Sequence, residues 1–209
     1  MNYPNSNEPS IELKKAEIHF PLFHWGPFTD QFYPGEQIEV MGPNGSGKTT
    51  FFLLLNGIQW PHSGEILLKN KKLKRENVQK ILSFCSSSHT HFFQKISVKN
   101  QINLYMSLKQ KKINNTLKKE LIDFFEIPSL DQEIQTLSSG FKQRLNLLLT
   151  LLTEPPILLW DEPFVHLDKV FQKKIKDFIT HWTDTKKMLF IYSTHQKYDL
   201  NFSLKRLRQ

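Results

Sequence analysis

A glycine-rich segment at residues 42–50 is the first part of the sequence with recognisable chemistry. It reads Gly-Pro-Asn-Gly-Ser-Gly-Lys-Thr-Thr and fits the spacing G-x-x-x-x-G-K-[ST]. A polyphosphate needs many inward N–H donors, and glycines let the backbone curl around it because they lack a Cβ. Lys48 would supply charge to the β- and γ-phosphates, and Thr49 a hydroxyl to Mg²⁺. The segment predicts a nucleoside triphosphate site formed by Gly42, Pro43, Asn44, Gly45, Ser46, Gly47, Lys48, Thr49 and Thr50.

The residues on both sides of this loop agree with that prediction. Gln37–Met41 reads as a short strand, and residues 50–56 read as a helix with Gly57 as its stop. The helix N-terminus would then direct the positive end of its dipole at the phosphates. A glycine-rich turn that only joins strand to helix is the alternative, and the match at every fixed position argues against it.

Two carboxylates follow a second apolar run. Residues 157–160 read Ile-Leu-Leu-Trp and lead directly into Asp161 and Glu162. In a phosphate-loop protein the Asp at such a strand end holds Mg²⁺, and Glu162 is placed to polarise a water in line with the γ-phosphate. His195 closes another apolar run, and a strand end in this kind of sheet faces the ligand. We therefore predict Lys48, Glu162 and His195 as catalytic residues, with Thr49 and Asp161 as metal ligands.

A further candidate site precedes the two carboxylates. Residues 137–144 read Leu-Ser-Ser-Gly-Phe-Lys-Gln-Arg, and Ser138 is a good N-cap for the amphipathic helix that follows. The small residues at this helix start suit an anion. An ordinary capped helix is the alternative on these residues alone.

The pattern of apolar runs predicts an α/β fold with a mostly parallel sheet. Strand-like runs occupy residues 11–20, 36–41, 65–69, 157–160 and 188–192. Helical spacing covers residues 98–126 and 170–180. Strand–helix–strand alternation favours a parallel sheet with ligand at the carboxyl ends of its strands, and the mid-chain helices would form a separate lobe.

Composition limits the possible classes of protein. The 209 residues suit one domain, and the longest apolar run, Leu145–Leu152, is too short to cross a bilayer. No secretion signal is visible at the start, so we expect a cytoplasmic protein. The single cysteine, Cys85, excludes an intrachain disulfide. The net charge of +8 includes a basic segment at residues 69–75, which we interpret as a solvated hairpin or helix end. Nucleic acid or an anionic membrane surface is the alternative partner, and the lack of interleaved aromatic residues argues against single-strand binding.

The ordered set of motifs resembles the ATP-binding subunit of an ABC transporter. GPNGSGKTT resembles the Walker A loop, ILLWDEP the Walker B strand, LSSGF the LSGGQ signature and STH the switch-histidine segment. Residues 162–168 resemble the D-loop, with Asp168 at its end. The resemblance spans residues 11–200, and within the family the length, DEPF and THQ resemble the haem-exporter ATPase of cytochrome c maturation.

This resemblance implies a P-loop NTPase (RecA-like) core, a small antiparallel β subdomain and a helical lobe. One ABC ATPase domain would occupy residues 1–209, with its core in 1–88 and 151–209 and the helical subdomain in 89–150. Two subunits, identical or different, would pair head to tail around ATP and Mg²⁺. Ser138, Gly140 and Asp168 would then contact nucleotide across the dimer. A separate membrane-spanning permease is implied as partner, with the chain peripheral on the inner face of the membrane and no nucleic acid partner.

Several positions depart from the family pattern. Ser139 replaces a glycine, Phe141 replaces a glutamine, and Ser88 or His89 lies where the Q-loop glutamine is usual. Trp25 is the candidate for stacking on adenine, with a loop anchor as the alternative. His89 and His91 form a possible metal pair that we interpret as surface histidines, because no third ligand is in view. The adjacent Phe92 and Phe93 could be core residues or contact the membrane partner.

Two other functions stay open on the sequence. The departures at Ser139 and Phe141 could mark a slow or degenerate member of a heterodimer that binds ATP mainly as a clamp. The positive charge could instead indicate a soluble ABC ATPase that acts on ribosomes or DNA. Such proteins usually have two cassettes or a long coiled-coil insertion, and neither is visible here.

Overall fold

The computed structural model of the chain describes residues 8–21, 23–74, 78, 80–87, 92–194 and 203–208. The strands are β1 (Ile11–Phe20), β2 (Phe23–Phe32), β3 (Gln37–Met41), β4 (Ser63–Leu68), β5 (Lys71–Lys72), β6 (Leu82–Ser86), β7 (Ile157–Asp161), β8 (Leu189–Ser193) and β9 (Ser203–Arg208). The α-helices are α1 (Lys48–Leu55), α2 (Val98–Leu108), α3 (Asn115–Phe125), α4 (Ser139–Leu152) and α5 (Lys169–Lys186), and a 3-10 turn covers Ile134–Thr136.

The central sheet has the order β6-β7-β8-β3-β9. Its first four strands are parallel, and β9 adds to β3 in the antiparallel direction. Strands β7 and β8 are buried at every position, which is why they appear in the sequence as continuous apolar runs. The prediction of a mostly parallel sheet is confirmed, and β9 is an edge strand that the sequence analysis did not identify.

A second sheet is antiparallel, in the order β2-β1-β4-β5. Strand β1 pairs with β2 on one side and with β4 on the other. Its inward positions, among them Ile11, Leu13 and Ile18, are fully buried, while the alternate positions face outward. The antiparallel β subdomain that the family resemblance implies is therefore present.

Two helices occupy the mid-chain region that the periodicity assigned to residues 98–126. Helix α2 is capped by Ser97, and α3 begins after Asn114, whose side chain accepts from the N–H groups of Thr116 and Leu117. Gln110, at φ 53°, ends the first helix. The left-handed Gln110 and the Asn114 cap therefore divide the region into two helices, and hydrophobic spacing alone does not reveal this division.

The core lies on both faces of the central sheet. Leu158 and Trp160 belong to one apolar cluster together with α4 and α5, while Ile157 and Leu159 belong to the other together with α1 and the antiparallel sheet. Cys85 on β6 is also inside, at 1% exposure. Burial, followed by the negative charge of the Asp161 carboxylate, raises the pKa of this thiol well above its usual range.

The two adjacent phenylalanines have different environments. Phe92 is 5% exposed and lies in the core, whereas Phe93 is 57% exposed. Among the described residues, no helix is both long and apolar enough to span a bilayer.

Candidate nucleotide-binding site

The glycine-rich loop connects β3 to α1 and is organised around Lys48. Gly47 caps the helix in the left-handed region, at φ 94°, which a residue with a Cβ adopts only with strain. The Lys48 side chain turns back over the loop, where its Nζ donates to the carbonyl oxygens of Gly42 at 2.7 Å and Pro43 at 3.0 Å. Lys48 is only 5% exposed. A buried ammonium group thus lies beside the N-terminus of α1, where the helix dipole and the free N–H groups favour an anion.

Ser46 supplies an independent sign that the loop is built for a polar ligand. Its Oγ is buried and has no hydrogen-bond partner among the described residues. A buried hydroxyl without a partner costs about 1–3 kcal/mol, so such groups persist mainly where a ligand or water completes them. A phosphate oxygen would accept from Ser46 and from the N–H groups of the loop.

The two predicted metal ligands touch each other. The Thr49 Oγ1 donates to Oδ2 of Asp161 at 2.9 Å, joining the start of α1 to the end of β7. A hydroxyl beside a carboxylate that is 6% exposed offers the oxygen ligands that Mg²⁺ prefers. The donor set therefore fits the predicted ion.

Ser193, which the sequence analysis did not single out, links the two carboxylate residues. Its hydroxyl donates to Oδ1 of Asp161 at 2.6 Å and accepts from the backbone N–H of Glu162 at 2.8 Å. Ser193 is completely buried at the end of β8. It therefore fixes the orientation of Asp161 and the backbone at Glu162 with one side chain.

Glu162 adopts an uncommon backbone conformation. Its φ of 55° places it in the left-handed region, at a cost of order 1–3 kcal/mol for a residue with a side chain. Strain of this kind is found at functional sites where the surroundings enforce it, and the Ser193 hydrogen bond contributes to that enforcement. The conformation turns the chain sharply at the point where the sheet ends.

A second group of predicted residues gathers at the start of α4. The Ser138 Oγ accepts from the N–H of Phe141 at 3.2 Å, as an N-cap should. A Cβ on Gly140 would lie 3.1 Å from the carbonyl oxygen of His166, so glycine allows this helix start to approach the loop after β7 closely. The described contacts thus place the site residues in two groups, one at the glycine-rich loop and one at this helix start.

Arg144 ties the second group together, and the sequence analysis gave it no role. Its guanidinium lies 3.9 Å from the ring centroid of Phe171 and donates to Oδ2 of Asp168 at 3.4 Å. Asp168 caps α5 by accepting from the N–H of Phe171 at 2.8 Å. That hydrogen bond is the largest cause of the lowered pKa of the Asp168 carboxyl, and the positive charge of Arg144 lowers it further. The sequence contains little that would have indicated this role, because Arg144 contacts Asp168 and Phe171 only through tertiary packing.

Comparison with known proteins identifies the family. A sequence model of the ABC transporter family matches residues 27–165. The chain belongs to this family. It is 32% identical over 162 residues to the aliphatic sulfonates import ATP-binding protein SsuB of Bacillus licheniformis, covering 77% of this chain and 62% of that protein. It is 29% identical over 206 residues to the energy-coupling factor transporter ATP-binding protein EcfA1 of Mycoplasma mobile, covering 93% and 74%.

Several of these ABC relatives are longer proteins. The aligned region spans 62% of SsuB, and 59% and 49% of two sulfate/thiosulfate import ATP-binding proteins. Among solved structures, the dimeric structure of the bacterial ABC transporter cassette MJ0796 superposes with a TM-score of 0.81 at 19% identity, covering 95% of this chain and 99% of that one. A post-hydrolysis state of that ATP-binding cassette bound to ADP and Pi gives 0.77 at 20% identity, covering 89% and 88%. At these identities the likeness shows the fold, and it confirms the predicted P-loop NTPase class.

One predicted ABC site residue needs correction. Trp25 is 4% exposed, and its ring packs on Phe28 at 5.6 Å and on Phe51 at 6.0 Å between ring centroids. A buried indole has no face open for adenine, so Trp25 is the anchor that was its alternative interpretation. The register explains the error: Trp25 pairs with Ile18 on the inward face of the β1–β2 hairpin.

The positions that differ from the ABC family pattern are only partly described by the structure. Phe141 is partly buried, and the guanidinium of Arg144 lies 5.3 Å from its ring centroid, so an aromatic contact stands where glutamine is usual. The predicted residues His195, Ser88 and His89, together with His91, lie outside the described residues. Their roles stay predictions. The strand leading to His195 ends as expected, with Thr194 donating to the buried Glu39 carboxylate at 2.7 Å.

Proposed function

We propose that this chain is the ATP-binding and hydrolysing subunit that energises an ABC transporter, with ATP held between two copies of the cassette. The observation that supports it best is the hydrogen-bonded chain from Thr49 through Asp161 and Ser193 to Glu162. It joins the phosphate loop to the two carboxylates, and these are the groups that phosphoryl transfer to water uses in phosphate-loop proteins.

In this proposal the chain's own groups divide the work. The loop N–H groups, Ser46 and Lys48 hold the β- and γ-phosphates, and Lys48 offsets charge as the terminal phosphoryl group leaves. Thr49 and Asp161 hold Mg²⁺, which when bound neutralises phosphate charge. Glu162 is the general base that takes a proton from the attacking water. His195 is proposed to contact the γ-phosphate.

The second group of site residues supports the head-to-tail dimer. Ser138 and Gly140 lie at the start of α4, which approaches the loop after β7, and Asp168 caps α5 nearby and accepts from Arg144 of α4. We propose that this end faces the nucleotide of the partner copy, and the solved cassettes with this fold were described as dimers. For adenine we propose Phe20, which ends β1 and is 41% exposed, in place of Trp25.

A groove between the core and the proposed helical subdomain, residues 89–150, supports a permease partner. It has a volume of about 660 Å³ and is bordered by Ile58, Phe93 and Leu108, which are 52%, 57% and 69% exposed. Exposed apolar side chains around one groove are typical of a protein interface. The relatives compared above are named for import or energy coupling, so the haem-exporter subgroup stays a prediction from the sequence.

ATP turnover by the purified chain tests the proposal. We expect Glu162→Gln to lower the rate by about 100-fold or more, since a positioned base contributes about 10²–10⁴. Lys48→Ala should have an effect of similar size, since removal of one group that stabilises transition-state charge costs about 10²–10³. The exposed Lys173→Ala and Glu120→Gln variants are the matched controls and should keep the wild-type rate. Equal turnover by Glu162→Gln and wild type would refute the catalytic assignment.

The contact between Phe141 and Arg144 favours one alternative, a slow ATP clamp in a heterodimer. Light scattering with ATP separates the two functions. Glu162→Gln should form an ATP-dependent dimer under the main proposal, whereas Lys48→Ala should stay monomeric. Tight ATP binding without either a homodimer or turnover would favour the clamp.

A further inference from the structure

Three potential metal ligands converge on the outer face of the antiparallel sheet. Glu17 and His19 lie two residues apart on β1, so their side chains leave the same face. His24 on β2 is the direct cross-strand partner of His19. The inward neighbours, Ile18 and Trp25, pack in the core. The cluster is therefore on the side of the sheet that faces away from α1 and the glycine-rich loop.

The ligand atoms have the separations of a coordination shell. Oε2 of Glu17 is 3.3 Å from Nε2 of His24, and Oε1 is 3.6 Å from Nε2 of His19. One ligand atom from each residue lies within 4.8 Å of the other two. Two ligands bound at about 2.1 Å to a tetrahedral ion are about 3.4 Å apart. The separations therefore fit one shared ion, and because a histidine nitrogen binds a metal in the plane of its ring, the two imidazoles would have to rotate out of their stacked arrangement to bind it together.

Neighbouring side chains contact all three groups. The two imidazole rings are stacked, with centroids 4.4 Å apart and planes 10° from parallel. The Ser63 hydroxyl donates to Oε1 of Glu17. His62 borders the cluster and accepts from the backbone N–H of His19 through Nδ1 at 3.2 Å. A hydrogen-bond donor that orients a ligating carboxylate, as Ser63 orients Glu17, is typical of the second layer of a metal site.

We propose that Glu17, His19 and His24 bind one divalent ion of the zinc class. Two imidazole nitrogens and one carboxylate oxygen suit Zn²⁺ and its late first-row neighbours, whereas Mg²⁺ prefers oxygen alone. Three protein ligands leave a fourth position for water. The ion would connect β1 to β2 and, through Ser63, to β4. This site is separate from the nucleotide site and does not rest on the proposed function.

Zn²⁺ titration into the tag-free, nucleotide-free full chain tests the site by calorimetry. We expect one ion per chain, with at least a tenfold loss of affinity at this site in His19→Ala and in His24→Ala. Ser63→Ala should weaken binding about tenfold, as loss of an orienting partner does. In the Co²⁺-loaded protein, visible absorption bands should report nitrogen and oxygen ligation and should be lost in the same two histidine variants.

Matched controls separate this site from other ligands in the chain. His181→Ala removes an exposed histidine on α5, Asp161→Asn removes the carboxylate of the nucleotide site, and a His89→Ala/His91→Ala double variant removes the other histidine pair. All three should bind Zn²⁺ as the wild type does. No binding by the wild type, or unchanged binding in both His19→Ala and His24→Ala, would overturn the proposal.

Discussion

Removal of the Ser193 hydroxyl should disable the site while leaving every charged group in place. In Ser193→Ala, Oδ1 of the buried Asp161 loses a donor and the part-buried N–H of Glu162 loses its acceptor. A hydrogen bond to a charged group contributes about 1.5–3 kcal/mol, and an unpaired buried donor costs about 1–3 kcal/mol. Because the two effects share one side chain, we expect a total loss of about 3 kcal/mol.

Thermal unfolding and ATP turnover measure the two consequences separately. In a chain of this length, each 1 kcal/mol shifts the melting temperature by about 2–4 °C, so about 3 kcal/mol predicts a drop of about 6–12 °C. Glu162 would also lose the bond that helps to hold its left-handed backbone, so its carboxylate would be displaced. A displacement near 1 Å can cost about 100-fold, and we expect kcat to fall about 10–100-fold with KM little changed.

Ser83→Ala is the matched control for this prediction. Ser83 is also buried on a parallel strand, at 1% exposure, and its hydroxyl pairs with the neutral hydroxyl of Thr153 at 2.7 Å. Its removal should cost about 1 kcal/mol and leave kcat unchanged. If Ser193→Ala and Ser83→Ala lost the same stability and kept the same kcat, the assigned role of Ser193 would be wrong.

Two further predictions concern the helices around the second group of site residues. Thr150→Val keeps the side-chain shape but removes the hydroxyl that accepts from Nε1 of Trp160 at 3.0 Å, so we expect a loss of about 1–3 kcal/mol in urea unfolding; a loss near zero would contradict it. Asp168→Asn keeps an N-cap acceptor for Phe171 but removes the charge. Because folding lowers the pKa of Asp168, its charge stabilises the fold above the unfolded-state pKa near 4 and ceases to do so as the pH falls through the folded value. The stability gap between wild type and Asp168→Asn should therefore be present at pH 7 and should close in strongly acidic urea titrations; a gap that widened there would contradict it.

The parts of the site that sequence predicted best are those where chemistry dictates residue type. A phosphate loop needs glycines and a lysine at fixed spacing, and the metal-binding Asp of such proteins follows a strand, so Lys48, Thr49 and Asp161 could be proposed as site residues from the sequence alone. The structure brings Thr49 and Asp161 within hydrogen-bond distance. The parallel strands were equally visible, because burial on both faces leaves an unbroken apolar run.

The sequence failed where tertiary register decides the environment. Trp25 could be assigned to either face of the hairpin, and only its pairing with Ile18 places it inside. Strand β9 contains Lys205 and Arg206 and sits at a sheet edge, so it lacks the apolar pattern of the central strands. Arg144 and Asp168 are 24 residues apart in the sequence, and no local sequence pattern predicts a contact between them.

The buried position of Cys85 makes the molecule convenient for site-specific labelling. A thiol that is 1% exposed and has a raised pKa is a poor nucleophile toward maleimides and spin labels. Because it is the sole cysteine in the sequence, a Glu120→Cys substitution, at an exposed position of α3 outside the proposed site, would provide one reactive handle on an otherwise unreactive background. Electron–electron distance measurements between two such handles could then follow how the copies approach and separate, without replacing the native residue.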